Sequence, residues 1–447
     1  MNKWSNMLIG RAIEFNPKET LQKGSLAKKI PMGMLTEFRR KIKGFEFVNY
    51  VSGPKFRNGD VLLSKITPCL ENGKTAQCDI LDDDEVAYGS SEFIVLRETE
   101  DTISDFIFYL AISPTFRKRA ISCMEGTSGR KRVNENTLKF FEIPFPQKAE
   151  QVKISRVLKS LDTKIELNNK INQELEVMAK TLYDYWFVQY DFPNEQGKPY
   201  KSSGGKMVYN DELKREIPEG WEAKAISEWV NNDKSGDWGK ESEQGGYTQK
   251  VSCVRGADLN GLNGKGELKS PTRYILEKNS KKILEAHDLI IEISGGSPIQ
   301  STGRLAFVTD ETLERFDNPL ICSNFCKAVT LKKEKYLYNF VYQWNRLYDH
   351  GVLFGWEGKT SGIKNLLFES FVTNQMEVYP KLDVVEKFYE FAKPIHAKKQ
   401  KNLLKNQKLT ELRDWLLPLL MNGQVTVDEL DVGLNMAAEP NSEYDNR

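Results

Sequence analysis

Three histidines and six scattered cysteines, with no apolar run long enough to cross a membrane, deny this 447-residue chain most of the equipment of an enzyme, a disulfide scaffold or a membrane protein. His287, His350 and His396 stand beside no Gly-x-Ser-x-Gly elbow, no second histidine at helical spacing and no nearby cysteine nucleophile, so structural or surface roles are expected for them. Cys69, Cys78, Cys123, Cys253, Cys322 and Cys326 form no framework, which suits a reducing cytoplasm. Cys322 and Cys326 lack the second Cys or His pair that zinc needs, and no metal is expected. The start, MNKWSNMLIGRAIEF, has no basic segment leading into an apolar core and a cleavage site, so secretion is not expected. With a mean hydropathy of −0.53, the chain reads as soluble and cytoplasmic.

Cofactor motifs are missing as well. Gly73-Lys74-Thr75 and Gly358-Lys359-Thr360 resemble the end of a phosphate-binding loop, but Pro68 and Leu353 stand where its first glycine belongs. Gly295-Gly296 follows an apolar run without the spacing of a dinucleotide or adenosylmethionine fold, and no Asn-Pro-Pro-aromatic tetrad occurs. The chain is therefore expected to catalyse nothing and to bind no cofactor itself. Nor is there an excess of one charge: Lys+Arg number 64 and Asp+Glu 63. Charge is local instead, with six basic residues against one acid between Arg117 and Arg132, and nine against four between Lys381 and Arg413. Such stripes fit phosphate contacts, and they also fit solvated helix faces.

What the chain does have is a heptad seam. Ile154, Leu158, Leu161, Ile165, Asn168, Asn172, Leu175, Ala179, Leu182 and Trp186 alternate spacings of four and three, which predicts one long coiled-coil helix over 146–187. At 1.5 Å per residue its seam is a rod of roughly 50 Å, longer than an ordinary globular helix. Shifted by 234 residues, the seam lands on Phe388, Ala392, Ile395, Lys399, Asn402, Asn406, Leu409, Arg413, Leu416 and Leu420, so both asparagines recur. A buried Asn fixes register, and the two pairs permit an antiparallel coiled coil with Asn168 near Asn406 and Asn172 near Asn402. Pro394 stands within this second helix, 381–423, and predicts a bend or a break there. Asp383 with Glu386 resembles a capping box that starts a short helix.

The stretches between the rods also repeat. Residues 1–145 read as one α+β domain, and a linker rich in Gly, Pro and Ser, 188–220, leads to a second, 221–380. Trp221 and the helix-like AKAISEW match Trp4 and WSNMLIGRAIEF; KKILEAHDLIIEIS matches KFRNGDVLLSKIT, each placing an aspartate, Asp288 or Asp60, before a buried strand. SDFIFYLAISPTFRKRAI has helical spacing, and KYLYNFVYQWNRLYDHG takes its place in the second copy. The fold class is thus α+β: two similar domains, each followed by a long helix, with pseudo-twofold symmetry. A polar tail, 424–447, is expected to be flexible.

Two similar surfaces on one chain suit a bipartite target, since duplex DNA presents a similar face every turn, about 34–36 Å along its axis. The loops best equipped to meet it are Thr127, Ser128, Gly129, Arg130, Lys131 and Arg132 in the first domain and Thr360, Ser361, Gly362 and Lys364 in the second. Glycine lets backbone approach, hydroxyls and amides bond phosphate, and arginine reaches guanine O6/N7 with two bonds. Each loop is also readable as an ordinary turn before a helix.

The domain-helix-domain-helix order, the linker YKSSGGKMVYNDELKREIPEGW, the helix end LYDYWF and the second helix end LTELRDWLLPLLMNGQV resemble the DNA-specificity subunits of type I restriction-modification systems. The resemblance covers nearly the whole chain. It implies that each domain is a target recognition domain reading one half of a split sequence, while the paired helices set the spacer. It implies as partners double-stranded DNA, two modification subunits that carry adenosylmethionine and methylate adenine, and restriction subunits that use ATP and Mg to translocate and cut DNA in phage defence. Trp186, Phe187, Leu416 and Leu420 then lie near helix ends and are candidates for domain packing or partner docking, with plain coiled-coil core as the other reading. It carries over no base-contacting residue. The alternatives are a coiled-coil adaptor without DNA affinity, and the recognition half of a stand-alone restriction-modification enzyme.

Overall fold

The computed structural model describes residues 4–127, 129–295, 300–360 and 363–427; the tail from 428 on, expected to be flexible, lies outside the described residues. Two compact units divide the chain: Met1–Glu166 with Gln407–Arg447, and Leu167–Asn406.

In the first unit the strand Val61–Ser64 is buried along its whole length, between Phe93–Arg97 on one side and Thr75–Gln77 on the other. Glu14–Phe15 completes an antiparallel sheet of four strands. Alternation along these strands serves two cores. Val61, Leu63, Ile94 and Leu96 pack against the helical side, where Ile154, Leu158, Leu416 and Leu420 of the two long helices join them. Leu62, Val95 and Ala76 face a second sheet, Glu46–Asn49, Leu26–Ile30, Ala87–Gly89 and Lys55–Phe56, over Ile30 and Phe56. Burial on both faces explains why these strands read as continuous apolar runs.

The second unit repeats the plan. Val230–Ser235, Cys326–Leu331, Leu289–Glu292 and Leu305–Phe307 take the same antiparallel order, with the buried Leu289–Glu292 in the place of Val61–Ser64. Leu289, Ile291 and Val329 face the helical core, whereas Ile290, Ala306 and Ala328 face the other sheet. In that sheet Tyr247–Val254 runs parallel to Leu320–Cys322, as Leu26–Ile30 runs parallel to Ala87–Gly89 in the first unit. Asp60 and Asp288 play one part in both copies: each accepts the backbone N–H three residues before it, from Arg57 and Glu285, and so shapes the turn into the central strand.

Several expected elements take other forms. The helix-like AKAISEW begins in a strand, Glu222–Ala225, paired antiparallel with Met376–Tyr379, and continues only as a short 3-10 turn, Ile226–Glu228; the partner strand overrides the helix preference of Ala and Lys. In the first unit Ser5–Leu8 pairs with Glu142–Phe145 in the same way, leaving only Ile9–Ala12 helical. The run 104–122 is two helices, Ser104–Ile112 and Pro114–Ser122, because Pro114 opens the second and the Ser113 hydroxyl accepts the Phe116 N–H. The stretch after the first rod is folded: it holds a hairpin, Met207–Asn210 with Arg215–Pro218, and Phe192 stacks between Tyr200 and Trp221 at centroid distances of 4.6 and 4.9 Å.

The long helices are Lys148–Tyr183, which ends in a π-helical turn over Asp184–Val188, and Leu382–Met421. Pro394 does not end the second helix, and no short helix is set off by Asp383. Proline removes one backbone hydrogen bond there, but Val385, Phe388, Ala392 and Ile395 around it are buried in the second unit's core, and that packing outweighs the local loss.

Candidate nucleic-acid interface

In the first unit the strands Met124–Glu125 and Arg132–Val133 form a hairpin whose loop carries the basic candidates. Gly126 and Gly129 turn it with φ of +121° and +82°, conformations that side chains rarely adopt. The loop lies beside the turn that links Val61–Ser64 to the edge strand Thr75–Gln77: Thr67 donates its N–H to the Lys131 carbonyl at 3.0 Å, and Val133 donates to the Lys65 carbonyl at 2.9 Å. Sequence reasoning missed this neighbouring turn, because the contact spans some sixty residues and leaves no periodic signal.

The cations of this region divide into two groups. Arg132 is committed to the protein, donating to both oxygens of Glu92 at 2.9 and 2.7 Å, and its guanidinium holds the Glu92 carboxyl below the usual range. Arg117 donates to the carbonyls of Leu70 and Glu71 and lies 4.6 Å above the Phe38 ring, while Arg119 lies 4.9 Å from the Phe141 ring. Lys118, Arg130 and Lys131 are exposed, and among the described residues none of them has an acidic partner. Thr127 is exposed and its carbonyl accepts the Arg130 N–H; Ser128 lies outside the described residues.

The counterpart in the second unit is the hairpin Glu357–Thr360 with Ile363–Leu366, extended by Ser294–Gly295. Thr360 pairs through its backbone with Ile363, and Ser361 and Gly362 lie outside the described residues. Lys364 is not presented to solvent: its ammonium is 3.1 Å from Glu357, with the two side chains only 13% and 6% exposed. Burial alone would raise the Glu357 carboxyl, but hydrogen bonds from Thr302 and Lys364 hold it below its ordinary value. Asn365 accepts from the Ser294 hydroxyl at 2.6 Å, and Ile363 near the hairpin end is exposed. The two hairpins share a place in the fold, and the described cations differ: Arg130 and Lys131 are exposed in the first, whereas Lys364 is held by Glu357 in the second.

The seam asparagines meet within the second unit. Asn168 donates to Asn406, and Asn402 to Asn172, both at 2.8 Å, so the helices run antiparallel there. Asn172 also donates to the Lys399 carbonyl at 3.2 Å and Asn406 to Asn169 at 2.8 Å, which leaves these buried amides satisfied. Lys399 ion-pairs with Glu176. Phe187 is buried against Tyr183, Trp221 and Phe388, and Trp186 is half-buried 6.0 Å from Phe388. In the first unit Leu416 and Leu420 are 2% and 0% exposed within the core, whereas Trp415, just before Leu416 in the chain, is 61% exposed.

His396 is buried, stacked on Tyr338 and bonded to the Tyr342 hydroxyl at 3.1 Å; His350 bonds the Arg346 carbonyl of its own helix; His287 is 3.3 Å from Glu334. The six cysteines are free thiols, and among the described residues no group of three or more His, Cys, Asp or Glu is placed to hold a metal. No helix among them is long and apolar enough to cross a membrane.

Residues 4–177 match the family model described as Type I restriction modification DNA specificity domain. The chain is 27% identical over 342 residues to the Type I restriction enzyme MjaIX specificity subunit of Methanocaldococcus jannaschii, covering 74% of this chain and 71% of that protein. It is 23% identical over 426 residues to the Type I restriction enzyme HindI specificity subunit of Haemophilus influenzae, covering 83% and 87%. The crystal structure of a type I restriction-modification S subunit from M. genitalium matches with a TM-score of 0.55 at 16% identity, over 94% of this chain and 96% of that one, a likeness of fold. With its repeated α+β plan and two long helices, the chain is similar along most of its length to type I restriction enzyme specificity subunits.

Proposed function

We propose that this chain reads DNA sequence for a type I restriction-modification complex and does no chemistry itself. The observation that carries the reading is the duplicated sheet order with a hairpin at the same place in each copy. Each recognition domain reads one half of a bipartite target, and the long helices set the spacer. Arg130 and Lys131 meet the first half, with Thr127, Ser128 and Gly129 available to backbone phosphates and Arg132 holding the hairpin's base. The second half meets the Thr360–Lys364 loop, where Lys364 acts through Glu357 as a support. Two modification subunits dock on the helices and bring adenosylmethionine for adenine methylation; restriction subunits bring ATP and Mg. The complex works in the cytoplasm.

The test is duplex binding by the complex of this chain with its methyltransferase partner, measured across a salt series. Affinity is expected to fall steeply with salt, and Lys131→Ala to weaken binding evenly across sequences while reducing the salt slope by about one. A complex that forms but shows no duplex affinity at low salt contradicts the reading and leaves an adaptor.

A further inference from the structure

At one position the two copies of the helix seam set an alanine against an arginine. Ala179 in the first long helix is fully buried, and its counterpart in the second is Arg413, also buried at 2% exposure. A guanidinium in an apolar seam is strongly unfavourable unless it is neutralised and hydrogen-bonded in full. Arg413 Nη1 donates to Asp162 Oδ1 at 2.8 Å and to the Phe38 carbonyl at 3.1 Å, and Nε and Nη2 donate to Asp414 at 2.9 and 2.7 Å. The other oxygen of Asp162 accepts from the Tyr109 hydroxyl at 2.8 Å. Both long helices, the Phe38 loop and the helix Ser104–Ile112 of the first recognition domain therefore meet in one buried cluster.

Contacts continue from the cluster to the reading hairpin. Phe38 has φ of +52°, and its ring lies so close to Gly73 that a Cβ there would come within 2.4 Å. Arg117 covers the same ring and holds the carbonyls of Leu70 and Glu71, in the turn whose Thr67 binds the Lys131 carbonyl. Apolar side chains pack in many nearly equivalent ways, whereas charge-assisted hydrogen bonds are satisfied in one geometry.

We propose that Asp162, Arg413 and Tyr109 are positioning residues: they lock the register of the first recognition domain on its helix pair, and thereby restrict the gap between the two halves of the DNA target to one length. This rests on the function proposed above and adds the residues that enforce the gap. Their replacement by apolar groups of similar size, Asp162→Leu with Arg413→Met, keeps the cluster filled while removing its single geometry; Tyr109→Phe deletes one bond and no volume.

The experiment is genome-wide mapping of modified adenines in a methylation-free host that expresses the full chain, wild type or variant, with its methyltransferase partner. The wild type is expected to modify one two-part motif at one gap. In the double variant both half-sequences persist, and the ratio of sites at other gaps to sites at the wild-type gap rises about tenfold or more, the ratio that corresponds to ~1.4 kcal/mol. Tyr109→Phe moves the ratio the same way by less. A folded double variant, lower in Tm or not, that still modifies only the wild-type gap overturns the proposal. If the double variant does not assemble, Tyr109→Phe decides, and an unchanged gap overturns it equally. A wild-type complex that modifies no two-part site sinks the functional reading first, and the positioning role with it.

Discussion

At the scale of single residues, the cations of the first unit divide into those exposed, Arg130 and Lys131, and Arg132, which Glu92 holds. Arg130 and Lys131 project from a hairpin whose base is pinned by Arg132 on Glu92, so the free charges sit on a braced loop. Arg130→Ala is expected to weaken binding by about 1–3 kcal/mol and to relax sequence preference at one position of the first half-site, read out by competition among duplexes mutated base by base. The residue types of these loops were legible in the sequence; their carboxylate partners were not, because Glu92 lies forty residues before Arg132 and meets it only across the fold. A second prediction concerns His396. Burial, with the Lys399 ammonium nearby, pushes its pKa down to about 3, against an ordinary value of 6.5. Between those values the unfolded chain binds a proton that the folded chain refuses, so stability falls as pH falls below 6.5. From pH 7 to 5 this site removes about 2 kcal/mol, and His396→Phe, which can still stack on Tyr338, should flatten that part of the profile in urea unfolding at the two pH values.

At the scale of elements, the helices were the most legible part of the chain. A heptad seam is a local periodic signal, and the shared asparagines gave the antiparallel register that the Asn168–Asn406 and Asn402–Asn172 bonds display. Signals of propensity misled where a distant partner decided the matter, as when Glu222–Ala225 joined Met376–Tyr379, and where packing overrode Pro394. The buried amides are predicted to trade stability for register. Asn402→Leu leaves the Asn172 oxygen without its donor and should destabilise the chain by about 1–3 kcal/mol in denaturant melts, whereas the pair Asn172→Leu and Asn402→Leu should recover that loss. Failure of the double change to recover stability would show that the amides hold more than each other.

At the scale of the whole molecule, duplication of one α+β plan leaves related hairpins whose described cations differ, exposed at Arg130 and Lys131 and held by Glu357 at Lys364. Topological likeness was readable from matched strings such as KFRNGDVLLSKIT and KKILEAHDLIIEIS, since each encodes a turn-forming aspartate before a buried strand. The contrast between the hairpins was only partly readable, because Lys364 looks like a free cation until Glu357 is seen beside it. The most direct measurement exchanges residues 221–380 for the matching domain of another specificity subunit, co-expresses the chimaera with the methyltransferase partner in a methylation-free host, and maps modified adenines against the parent. Independent reading by the two domains predicts a two-part motif in which one part changes while the other part and the gap stay fixed. A motif that changes in both parts, or one continuous sequence in the parent, would contradict it.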